Sequence, residues 1–412
     1  MRTRILLIGL WMAVSISCRA KMLRAGKHQL YSSIQQAIHS ANPGDTVWVE
    51  PGLYREKNII INKSIILIGD QYPVLDGEHQ FEIISVKADH VVVKGFRLVH
   101  SGVSSIIDIA GIKIYNSRDV RISDNILDDT FFGIYVQAGT QCIIDNNEVN
   151  AHSLIEQQNG NGIHCWKCDS LQITGNRISG HRDGIYFEFV TNSIIWRNIS
   201  THNLRYGLHF MFSHNDAYIS NIFKNNGAGV SVMFTHGVRM FNNYFEDNWG
   251  DGAFGLLLKE ISDSYVIGNK FINNTSGVFM EGASRIRFEK NEFIRNGWAM
   301  KIQASCLDIM VTNNNFFSNS FDVATNGSLV LNSFNYNYWD KYEGYDLNKD
   351  NLGDVPYHPV SLFSMVIDKN PSAMMLFRSF MTSLLDKTEK ILPSLTPENL
   401  RDDHPYIKPI KL

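Results

Sequence analysis

Residues 205–243 read RYGLHFMFSHNDAYISNIFKNNGAGVSVMFTHGVRMFNN. One unit is written there twice. Gly207, Met211, His214 and Asn221 return as Gly229, Met233, His236 and Asn243, each 22 residues later, which is the signature of a stacked repeat. Working outward, a glycine column runs through Gly111, Gly133, Gly162, Gly184, Gly207, Gly229, Gly255 and Gly277, with Ala299 in the next place. An asparagine column follows it at Asn125, Asn147, Asn176, Asn198, Asn221, Asn243, Asn269, Asn291 and Asn313. Glycine to asparagine is 14 residues in every unit, whereas asparagine to the next glycine is usually 8 but stretches to 15, 9 and 12 after Asn147, Asn198 and Asn243. Insertions are therefore expected at a single corner.

A 22-residue period carrying short β-branched and aromatic runs, with no helical periodicity, predicts an all-β chain wound as a parallel β-helix. The crossover rule predicts right-handed coils over 83–340. Asparagine suits the turns, because it tolerates left-handed dihedrals and stacked amides can bond as a ladder. Adjacent coils lie about 4.8 Å apart, so every column becomes a line up the molecule. Alternation then places Ile112, Ile134, Ile163, Ile185, Leu208, Val230, Leu256 and Val278 inside. Residues two and four places after each glycine point outward, among them His164/Trp166, Tyr186/Glu188, His209/Met211, Ser231/Met233, Leu257/Lys259 and Phe279/Glu281.

The 412 residues, 44% hydrophobic and 19% charged, suit one elongated domain with a continuous core. A net charge of −3 with only scattered basic pairs argues against nucleic acid as a partner. Basic residues before the apolar run Ile5–Ile16 read as a signal peptide over 1–20, hence a periplasmic location. Ser15-Ile-Ser-Cys18 admits a lipid anchor at Cys18 as the alternative to cleavage near Ala20. Residues 28–70 form an N-terminal cap and first strands, with a short helix over Ser32–Ser40 presenting Ile34, Ala37 and Ile38 to the first coil. The β-helix fills 71–345, an acidic loop and linker 346–369, and an amphipathic helix and tail 370–412. The helix expected over 371–392 carries Met374, Phe377, Met381, Leu384, Leu385 and Ile391 and is too charged to span a membrane. Its surplus apolar surface points to docking on a membrane partner.

The main chemical signal is a face built from His209, Met211, His214, Met233 and His236. Thioethers and imidazoles together select Cu(I), a soft ion. The bland alternatives are that the methionines, with Phe212 and Phe234, pack beneath inserted loops or form an apolar docking surface. Insertions at Val149–Asn161 and Phe245–Gly252 would wall this face on two sides. Asp128, Asp129, Asp183 and Glu188 are the candidates for a second reading, polysaccharide lyase or hydrolase chemistry or carbohydrate binding, yet no tight carboxylate cluster repeats on one face, and Arg182 and Lys259 do not complete an obvious site. Cys165 and Cys168 could be a disulfide, a soft-metal pair or two packed thiols. Asp346–Asp354 alternates oxygen ligands as a calcium loop does, but Asn351 and Tyr357 stand where glycine and glutamate are usual, and a hydrogen-bonded turn fits equally.

The runs Gly207–Ser213 and Gly255–Glu260, the segment from Asn337-Tyr-Trp-Asp340 to Pro356-Tyr357, and Arg378-Ser379 in the tail occur in an order that resembles the NosD family. These are periplasmic β-helix proteins of nitrous oxide reductase maturation, and the resemblance spans about residues 28–412. It implies a non-enzymatic accessory factor of denitrification, with no catalytic residues. Such a factor helps supply copper or sulfur to the reductase's copper–sulfide centre alongside the membrane permease and cytoplasmic ATPase of an ABC-type transporter. A copper chaperone would stand upstream of it. No GxxxxGK[ST] loop occurs in the sequence, so ATP is handled by another chain.

Overall fold

In the computed structural model, which describes residues 20–104, 106–327, 331–376, 379, 384–385 and 400–412, the chain winds as a parallel β-solenoid of about 14 turns, with coils about 23 residues apart. A typical coil has three strands, as in Tyr206–Met211, Ala217–Ile219 and Ile222–Lys224. The first two join a 25-stranded parallel sheet and the third a 13-stranded one. Coils stack in the expected register, with Ile185 opposite Leu208, Leu208 opposite Val230 and Val230 opposite Leu256. The whole inward column from Ile112 to Val278 is fully buried.

The third strands contribute a second inward column. From Phe223 it continues as Phe245, Phe271, Phe293, Phe316 and Trp339, rings stacked with centroids 5.7, 4.8, 4.8, 4.7 and 4.0 Å apart. The glycine column exists because the next coil comes too close for a side chain. A Cβ at Gly229 would lie 2.2 Å from the Gly255 carbonyl oxygen.

The asparagine ladder forms with one correction and one addition. Each backbone N–H and side-chain Nδ2 of a rung donates to Oδ1 of the next, for example Asn221 to Asn243 at 3.0 and 3.0 Å. The rung after Asn291 is Asn314, not Asn313. The corner between Ile302 and Leu307 is one residue longer than that between Met280 and Ser284, so the frame slips by one. Nor are the rungs left-handed. The residue before each rung takes that conformation, as Ser220, Asn242 and Asn313 do at φ 54°, 56° and 56°, and the asparagine is free to hold its amide in the core. A second ladder, five residues further on, joins Asn203, Asn226, Asn248, Asn274, Asn296 and Asn319.

The N-terminal cap contains α1 (Ile34–Ser40), with Ile34, Ala37 and Ile38 buried. Its first N–H groups, on Ile34 and Gln35, donate to the Glu56 carboxylate at 2.6 and 3.0 Å, which satisfies orphan donors where the helix dipole favours an anion. At the other end α2 (Leu362–Lys369) packs Phe363 and Ile367 on Phe321. Of the helix expected over 371–392, Pro371–Leu376 is a 3-10 turn, and nearly all the rest lies outside the described residues, as do the signal peptide and Cys18. Residues 400–412 return to the solenoid. There Asp402 accepts from the Asn337 backbone N–H and Nδ2 at 2.9 and 3.1 Å.

Candidate functional site

The outward face of the long strands is built by alternation from a line two places after each glycine. Lys113, Tyr135, His164, Tyr186, His209 and Ser231 stand opposite one another in consecutive coils. Their side chains form a continuous pile. Lys113 Nζ lies 4.6 Å from the Tyr135 ring, and the ring centroids from Tyr135 to His164 to Tyr186 to His209 follow at 4.4, 4.7 and 4.9 Å.

His209 corrects an expectation. It points outward yet is only 6% exposed. Arg205 and Tyr206 cover it, Arg205 reaching across to Glu156 on the inserted loop at 3.4 Å and the Tyr206 ring lying 4.9 Å from the imidazole. Arg205, tied to the inserted loop through Glu156, thus closes over this histidine. Nδ1 of His209 sits 3.3 Å from Oδ2 of the fully buried Asp183 and 3.5 Å from Arg205 Nη2. A carboxylate only accepts, so the contact with Asp183 calls for a proton on Nδ1. Nε2 and the Ser231 Oγ in the opposite register position are both buried with no hydrogen-bond partner.

The other four residues assemble as two pairs. Met211 faces Met233 across adjacent strands, both half-buried, and Tyr186 Oη donates to Met211 Sδ at 3.8 Å. Glu188 and Lys259 bracket them in register. Past the corner, His214 and His236 stack with centroids 4.2 Å apart and planes 9° from parallel. Between the pairs the chain turns at Phe212 and Phe234, both left-handed at φ 48° and 55°. The Phe212 ring stacks between Phe189 at 5.3 Å and Phe234 at 5.1 Å, leaving an exposed aromatic edge. Burial, followed by the charge of His236, lowers the His214 pKa.

Among the carboxylates, Asp128 is held by Arg97 at 2.9 Å and His152 at 2.7 Å, and Asp183 by Arg205 and His209. Sequence reasoning missed Arg205 and Tyr206. Their place at the end of a one-residue insertion was the available signal.

The cysteines resolve as packed thiols. All four described cysteines are free and buried. Cys168 Sγ donates to the carbonyls of Val136 and Trp166, each at 3.3 Å, and burial pushes its thiol up to about 12. Burial likewise raises Cys165 and brings Cys142 to about 11. In the acidic loop, Asp346 spends its oxygens on the N–H groups of Lys349, Asp350 and Asn351, which is the turn reading.

Fold and face together define a parallel β-solenoid with methionine and histidine pairs along one edge. Residues 150–344 match the model of the NosD family, described as "Periplasmic copper-binding protein (NosD)", which bears out the resemblance read from the motifs. The chain is 27% identical over 386 residues to the "Probable ABC transporter binding protein NosD" of Pseudomonas aeruginosa, covering 89% of each. It is 24% identical to the protein of the same description from Stutzerimonas stutzeri, over 89% of this chain and 87% of that one. Two solved structures share the fold alone. The mannuronan C-5 epimerase AlgE6 A-module of Azotobacter vinelandii is 15% identical with a TM-score of 0.53, over 74% of this chain and 88% of that one. PfbA, a surface adhesin of Streptococcus pneumoniae, is 13% identical with a TM-score of 0.56, over 71% and 87%. Among the described residues, no helix is long and apolar enough to cross a membrane.

Proposed function

We propose that the chain is a non-enzymatic periplasmic accessory factor that takes Cu(I) as cargo for the copper–sulfide centre of nitrous oxide reductase. It would work with an ABC-type permease and ATPase and receive copper from an upstream chaperone. The observation that carries this reading is the pairing of Met211 with Met233, in register and half-buried, with the His214–His236 stack on the same two coils just past the turn. Two thioethers and two imidazoles form a soft donor set suited to monovalent copper. Held on rigid strands one coil apart, they are preorganised, while the Phe189–Phe212–Phe234 edge offers an apolar contact for a partner. His209 is left out of the ligand set, since Asp183 engages its Nδ1 and Arg205 and Tyr206 cover it.

Carbohydrate chemistry is the second reading. Asp183 with His209 and Tyr186 resembles an acid–base group, but its carboxylate is fully buried, out of reach of a glycan. Competition titration with a Cu(I) chelator under reducing conditions tests the proposal. Replacing Met211 and Met233 by Leu and His214 and His236 by Gln together should abolish competition and reductase maturation while the melting temperature holds. Full copper binding and maturation in that variant would overturn it.

A further inference from the structure

A different donor set lies at the other end of the solenoid, on coils preceding the 150–344 segment. His79, His100 and Asp129 each offer a ligand atom, and these atoms lie within 4.8 Å of one another. Stacking brings them together. His100 follows Val99 and Asp129 follows Asp128, which are register partners in adjacent coils. The backbone N–H of His79 donates to the His100 carbonyl at 2.8 Å, and the two rings sit 4.6 Å apart.

Their surroundings suit a metal ion better than a chance polar cluster. Nδ1 of His100 lies 3.0 Å from Oδ1 of Asp76, which also accepts from the Glu78 N–H at 3.0 Å. That contact fixes the proton on Nδ1 and leaves Nε2 with its lone pair, as a carboxylate behind a metal-bound histidine does. Asp128 is occupied by Arg97 and His152, whereas no donor among the described residues holds the Asp129 carboxylate. A cavity of about 40 Å³ opens at the same place, lined by His79, Asp129, Thr130 and the inserted residues His152, Gln158 and Asn159. That is room for an ion with one or two waters. Thr130 is 3% exposed and its Oγ1, in the wall of this cavity, has no hydrogen-bond partner. A buried orphan hydroxyl is costly unless something binds it.

We propose that His79, His100 and Asp129 form a site for a divalent transition-metal ion, copper(II) or zinc(II), with Asp76 orienting His100 and the Thr130 hydroxyl or its bound water completing the shell. Two imidazoles and a carboxylate are borderline donors that favour these ions over magnesium or calcium, and without a thioether they differ from the methionine face. Metal–ligand bonds of about 2.1 Å allow ligand atoms up to roughly 4 Å apart. The exposed His79 ring closes the remaining distance by turning. The site stands whether or not the methionine face carries Cu(I).

The test uses the untagged protein titrated separately with copper(II) and zinc(II). The tightest equivalent should bind about a hundredfold more weakly in H79Q/H100Q and roughly tenfold more weakly in D76N, which alters only the group behind the ligand. The variant lacking Met211, Met233, His214 and His236 should bind this equivalent unchanged. Electron paramagnetic resonance of the unmutated protein with one equivalent of copper(II) should show coupling to two imidazole nitrogens. Unchanged affinity for both ions in H79Q/H100Q, or a spectrum without imidazole nitrogen, would overturn the site.

Discussion

His214 and His236 lie ring on ring, 4.2 Å apart and nearly parallel, an arrangement that tolerates one positive charge poorly and two hardly at all. Burial and then the neighbouring charge lower the pKa of His214. A base with a depressed folded pKa favours the folded form above its unfolded pKa, about 6.5, and that contribution is lost as pH falls through the lower folded value. The same protonation removes the lone pair that would hold copper. Lowering pH from 7 to 5 should therefore weaken Cu(I) binding, measured by chelator competition, and a His236→Gln variant should lose affinity at pH 7 and show a shallower pH dependence.

His209 should behave in the opposite way to the methionines. Replacing it by Ala empties the space under Arg205 and Tyr206 and removes a hydrogen bond from the buried Asp183, a loss of about 2 kcal/mol. Thermal melting should detect this, with Cu(I) affinity unchanged. A loss of copper without a loss of stability would return His209 to the ligand set.

Asp216 makes the solenoid sensitive to alkali. Its Oδ1 accepts from the Ser193 N–H at 2.6 Å, but Oδ2 is buried without a partner, and burial, with a smaller contribution from Asp169, raises its pKa to about 8. The unfolded carboxyl titrates near 3.9, so folding takes up a proton between these values. Stability from this group is complete at acid pH and declines as pH rises toward 8, by at most about 1.4 kcal/mol per unit. In Asp216→Asn, the fall in melting temperature from pH 5 to pH 8 should be smaller than in the unmutated chain.

At the C-terminal end, Asp402 gathers five donors. They are the N–H groups of Tyr336, Asn337 and His404, the Asn337 side-chain amide and Trp339 Nε1. Asp402→Ala strands several of these in the core and should cost about 3 kcal/mol. Asp402→Asn keeps the ladder acceptor and should cost about 1 kcal/mol. Trp339 fluorescence during denaturation reads both, and equal losses would deny the carboxylate its place in the ladder.

Periodicity carries the fold because each coil repeats the environment of the last, so the burial of Leu208 and Val230 and the pairing of Met211 with Met233 were legible from spacing alone. What breaks the repeat was not. Asn314 displaced Asn313 through a single extra corner residue, and the second ladder, Asn203 to Asn319, was masked by the first because the two keep a constant offset. The cover over His209 depends on how an insertion folds. The docking of Asp402 joins residues 65 apart in sequence, with no local pattern to announce it. His79 and His100 sit in coils too irregular to share the 22-residue spacing.

The ladder also has a direction. In every rung the backbone N–H and one Nδ2–H point toward the following coil and the amide oxygen points back, while the second Nδ2–H returns to a carbonyl of the preceding coil, so the bonds between amides from Asn125 through Asn337 lie head to tail along the stack. Aligned hydrogen-bonded groups polarise one another, and their positive pole accumulates where the last donors have no further asparagine to meet. The solenoid places a carboxylate there. Asp402 acts on this column of side chains as an acidic residue does at the start of a helix, so a wire of neutral amides ends on the charge its polarity favours.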